Sequence, residues 1–265
     1  MSSFRRMLMA KLAKDRAVVE SYIEGYTNAA LHTIHYSLDG GNTYQGVTSN
    51  ADAYFRIDLS SAPTTLEKLF YPGDDDERRE NFAIVYVNFS HVADSSHITN
   101  MAWMCKNLNE LASVNLNGLQ AAKPTDIGQI FNSCEALTAL DMSMLDTSHV
   151  TASVTNHGFA TMLYGCTALE TVKLPQFPST AYIGSSPFGM CSALTTISQC
   201  GTIATDKFHV NQSPLTRASA LVIINALADK TGGTAGTLKL SASTLALLNQ
   251  SDITIANGKN WNVTS

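Results

Sequence analysis

The chain has 265 residues, 45% of them hydrophobic, enough to bury a substantial core as one large domain or a main domain with a smaller partner. Only 15% are charged, the formal net charge is −5 and the pI is near 5.8. That balance excludes a sequence-independent nucleic-acid binder, which needs a basic face. No apolar run approaches the roughly 20 residues a membrane-spanning helix requires.

In chain order, the first element is a predicted helix, "FRRMLMAKLAKDRAVVESYIEG". Its basic residues are soon followed by Asp15 and Glu20, which favours a packed or partner-facing helix over one lying on an anionic membrane. The segment lacks an apolar stretch of about 7–15 residues and a small-residue cleavage site, so export by the general secretory route is not expected. "LHTIHYSLDGGNTYQ" predicts a hairpin turning at Gly40-Gly41, and "DAYFRIDLS" alternates like a strand. His32 and His35 lack the Glu of H-E-x-x-H and read as side chains on a β-surface. The acidic loop 73–77, "GDDDE", lacks the spaced carboxylates of a calcium loop and reads as solvated. Residues 1–81 are thus expected to form a small β-rich attachment or capping module, and to be where a homo-oligomer would assemble.

From residue 82 to 205 the sequence repeats. "AWMCKNLNEL", "FNSCEALTAL", "LYGCTALETV" and "FGMCSALTTI" place Cys105, Cys134, Cys166 and Cys191 in one register, with Leu108, Leu137, Leu169 and Leu194 three residues later. The cysteine intervals are 29, 32 and 25 residues. "DSSHIT" (94–99) and "DTSHVT" (146–151) recur as well, carrying His97 and His149 at one position. A period in the twenties with leucines at three-residue steps predicts an α/β repeat, a leucine-rich-repeat solenoid in which each coil covers its neighbour's apolar side. The eight cysteines and leucines named above are its expected core. No C-x2-C pair occurs and the five cysteines are an odd number, so stacked reduced thiols are expected rather than zinc or disulfides.

The pattern F-x-x-C-x-x-L-x-x-L-D-x-S followed by D-T-S-x-V-T resembles the BspA-type leucine-rich repeats of bacterial surface proteins. It is carried by Phe131, Cys134, Leu137, Leu140, Asp141 and Ser143, then by Asp146, Thr147, Ser148, Val150 and Thr151. Asn88 stands where the Asp would be in an earlier coil, and 172–188 lacks the D-T-S-x-V-T run. The resemblance implies adhesion to host matrix or to other cells.

After residue 206, Pro214 and Thr216 precede an apolar-periodic run that Gly232-Gly233 closes, which predicts a helix. Strand, short helix and strand are expected to follow, making 206–265 an α/β cap. Its end, "ANGKNWNVT", resembles the C-terminal segment that follows such repeats in proteins of gut bacteria and their phages.

No Walker A sequence, no G-x-G-x-x-G and no nucleophile elbow occur; in "GSSPFG" (184–189) the spacing is wrong for G-x-S-x-G. The expectation is a protein without enzymatic activity or cofactor, binding other proteins (virion partners or a host-surface receptor) or glycans. Its expected place is a phage virion assembled in the host cytoplasm, as fibre, spike or decoration; the alternative is a bacterial cell-surface adhesin. Asn115, Asp141 and Ser143, on predicted strand surfaces, are the candidate ligand contacts.

Overall fold

A computed structural model describes residues 21–59, 62–71, 81–151, 157–184 and 186–265. The basic segment 1–20, the acidic loop 73–77 and Ser185 lie outside the described residues.

Alternation decides the first sheet. In β1 (Tyr22–Thr27) Ile23 and Gly25 turn inward, and in β4 (Tyr54–Asp58) Phe55 and Ile57 do the same. A Cβ at position 25 would collide with the Phe55 ring and the Tyr86 carbonyl, so only glycine lets the strand lie this close. β1 pairs antiparallel with β4 on one side and with β5 (Ile84–Asn88) on the other. β6 (Ser113–Asn115) then adds parallel to β5, so one sheet runs across residue 81. Beside it, β2 (Thr33–Tyr36) and β3 (Gln45–Thr48) form the hairpin, with Gly40 and Gly41 at positive φ and the Gly41 N–H donating to Ser37 Oγ.

The middle of the chain is held by turns that stack. Lys68 N–H donates to Ala102 O, Trp103 N–H to Gly128 O and Gln129 N–H to Ala160 O. Four residues on, Asn107, Ser133 and Gly165 donate to Asn132, Tyr164 and Gly189. The chain bends at these places by entering the left-handed region. Lys68, Trp103, Gln129 and Thr161 form one such row, and Asn107, Ser133, Gly165 and Met190 another, with φ between 48° and 79°. Each non-glycine residue there costs about 1 kcal/mol or more, offset because the bend lets buried amides find acceptors one layer away.

This ladder corrects the sequence register. Cys105 N–H bonds Ile130 O, Phe131 N–H bonds Met162 O and Leu163 N–H bonds Pro187 O, so Cys105 is level with Phe131, Leu163 and Phe188. Leu108 is the residue level with Cys134, Cys166 and Cys191, and Leu111 the one level with Leu137, Leu169 and Leu194. The first segment is therefore "CKNLNELASVN" laid over "FNSCEALTALD", with cysteine where its neighbours have phenylalanine or leucine. Matching cysteine to cysteine shifted it by three residues, one step of its own apolar spacing. Cys105, Leu108, Cys134, Leu137, Cys166, Leu169, Cys191 and Leu194 are all fully buried.

The expected leucine-rich-repeat solenoid is not what forms. The molecule is a mixed α/β structure of separate small sheets: β4-β1-β5-β6, β2-β3 and two parallel three-stranded sheets further along the chain. β7 (Ala139–Asp141), β8 (Thr171–Leu174) and β9 (Thr196–Cys200) make a parallel sheet of their own. No ladder joins β6 to β7, so the strand layer breaks between residues 115 and 139. Both strands are three residues long, which leaves few amides to align. The described returns are turns and a three-residue 3-10 helix at Asn117–Leu119 rather than α-helices, and antiparallel β1 and β4 flank the first parallel pair.

Parallel β10 (Lys207–Val210), β11 (Gly236–Leu240) and β12 (Trp261–Thr264) carry the described α-helices: α1 (Arg217–Ala226), α2 (Ala242–Leu245) and α3 (Gln250–Gly258). Thr216 caps α1 by accepting the Ser219 N–H, and the helix stops at Ala226, six residues before Gly232. Phe208 packs on Phe177 and Phe188, with centroids 4.9 and 5.8 Å away, tying this sheet to the stacked turns. Among the described residues no helix is long and apolar enough to cross a membrane.

Asp252 links two helices. It completes a capping box with Asn249 at the start of α3 and receives two hydrogen bonds from Arg217 of α1, at 2.7 and 2.9 Å. The Arg217 hydrogen bond, then the Asn249 N–H, hold its carboxyl below the ordinary value. A carboxyl that titrates lower when folded adds stability that is complete above its unfolded pKa of about 3.9 and is lost as pH falls through the folded value. Asp252→Asn is therefore expected to lower Tm at neutral pH, with the gap to the parent closing as pH falls below about 3.9. An equal gap at both ends of a thermal-melt series would refute the ionic role. In the stacked core, Leu137→Ala should cost about 2–5 kcal/mol, read from chemical denaturation. An unchanged midpoint would mean that Leu137 is not packed as described.

Candidate functional site

The outward face of the β4-β1-β5-β6 sheet carries two cross-strand rows. In the first, Tyr26 lies opposite Tyr54 on β4 and Tyr86 on β5, with ring centroids 5.6 and 6.2 Å apart. In the second, Glu24 lies between Arg56 and Asn88, and Asn88 is followed by Asn115 on β6. Period-two alternation puts both rows on one face, since Tyr22, Glu24 and Tyr26 occupy alternate positions of β1.

Glu24 fixes the arrangement. Its carboxylate accepts the Tyr54 hydroxyl at 3.0 Å and the Asn88 amide at 2.8 Å, and lies 3.3 Å from His91 Nε2. Its side chain is only 16% exposed, unlike an ordinary solvated surface glutamate. Burial, then the nearby Glu24 charge, push the Tyr54 phenol well above its ordinary pKa, so it stays a donor. Tyr22 stacks on His91 with centroids 4.4 Å apart and carries the Arg56 guanidinium 3.8 Å from its ring centre. The side chains are thereby held in place before anything binds.

The three candidate contacts fall on both sides of the break. Asn115 sits on the tyrosine-bearing sheet beside Asn88, and its Oδ1 accepts the Asn117 N–H. Asp141 and Ser143 belong to the next sheet. Asp141 accepts the Ser143 N–H and hydroxyl and pairs with Lys173 at 2.7 Å. Burial works against ionisation of Asp141, but the Lys173 and Ser143 hydrogen bonds hold its carboxyl below the ordinary value. These side chains bend and brace their own strand ends, as Asp94 and Asp146 do for Ser96 and Ser148. Reading single strands missed the tyrosines and Glu24, although the alternation in "YIEGY" and "YFRID" places Tyr, Glu, Tyr and Tyr, Arg, Asp on one side each.

Among the described residues no group of three or more His, Cys, Asp or Glu side chains could hold a metal ion. His97 pairs with Asp94 at 3.3 Å, and His35 lies on β2 with its backbone N–H bonded to Asn81. Two open clefts meet at Asp206. One is lined by Lys230 and residues 231–234; the other, about 240 Å³, is lined by Tyr182, Ser179 and Lys207. Neither is lined by a histidine or a cysteine.

The cysteines are packed as a column of donors. The thiols of Cys134, Cys166 and Cys191 donate to the carbonyls of Cys105, Phe131 and Leu163 in the preceding layer, at 3.0 to 3.1 Å. Burial pushes all of them up, Cys191 and Cys200 to about 12. In the folded protein, alkylation at about pH 8 should spare Cys105, Cys134, Cys166 and Cys191, while in denaturant all five cysteines react. Mass mapping that finds Cys134 labelled as fast in the folded as in the unfolded chain would contradict this packing.

No protein-family model matches the chain, and no curated protein or solved structure matches it either.

Proposed function

We propose that the protein is a binding component of a phage particle, a fibre, spike or decoration element, and that it meets its partner with the tyrosine-bearing face of the β4-β1-β5-β6 sheet. The observation that carries the binding reading is the Glu24 network. On the outer side of the sheet a carboxylate that is only 16% exposed gathers a tyrosine, an asparagine and a histidine. As a device that fixes a recognition surface, it has a use. The resemblance of "ANGKNWNVT" to segments of gut bacterial and phage proteins supports the virion setting. A second reading, a bacterial surface adhesin, is favoured by the BspA-type pattern at Phe131 to Ser143 and uses the same face.

Density-gradient fractionation of the native source, with the protein located by mass spectrometry, separates the two. Sedimentation with particles that contain capsid proteins is the expected result. Recovery with the cell envelope would overturn the virion reading in favour of the adhesin.

A further inference from the structure

We draw no further inference here: the strongest candidate, the surface cluster on the stacked turns where Tyr71, His157, Lys68 and Lys106 gather around the Trp103 ring, carries nothing because nothing in the structure shows what covers it.

Discussion

Each layer of the middle of this molecule leaves backbone amides that its own segment cannot satisfy, and only the next layer can. Trp103 and Gln129 donate to the carbonyls of Gly128 and Ala160, one layer on in the sequence, and the left-handed bends at these residues aim the amides there. The thiol column obeys the same rule with side chains, since Cys134, Cys166 and Cys191 each reach a carbonyl of the layer before. A buried amide without an acceptor costs as much as a lost hydrogen bond, so these turns stack in one register or not at all. Core packing follows from that register: Leu111, Leu137, Leu169 and Leu194 are level because the turns that precede them are level.

Stacked turns do not oblige the strands to pair. A turn fixes where a strand begins, but a ladder also needs length, and β6 and β7 have three residues each. The layer therefore divides, and the two halves acquire different neighbours. β5 and β6 are joined by antiparallel β1 and β4; β7 is joined by β8 and β9 and backed by α1, whose Ser219 bonds Thr195 O and Ile197 N–H. The division separates Asn115 from Asp141 and Ser143 and gives the tyrosine-bearing half a composition of its own.

That half shows how a scaffold can hold a surface still. Ile23, Phe55 and Ile57 are locked in the core below, and each locks the alternate residue above it. Glu24 then ties strand to strand on the outer side through Tyr54 and Asn88. Mobile tyrosines would lose side-chain entropy on binding, whereas tyrosines already in place lose little.

Local pattern was enough to read the hairpin at Gly40-Gly41, the capped helix after Thr216, and the buried cysteines and leucines. Each rests on residues a few positions apart, whose chemistry is the same wherever the segment lies. The register of Cys105 was not legible, because "CKNLNEL" fits the apolar spacing equally well at either of two offsets of three. Only the inter-layer hydrogen bonds choose between them. The break between β6 and β7 and the antiparallel capture of β5 by β1 were hidden for a related reason. Periodicity reports which side chains are buried, while strand partners are settled by backbone alignment between distant segments. The tyrosine-bearing face needed that same information, since Tyr26, Tyr54 and Tyr86 belong to three strands that only the folded sheet brings together.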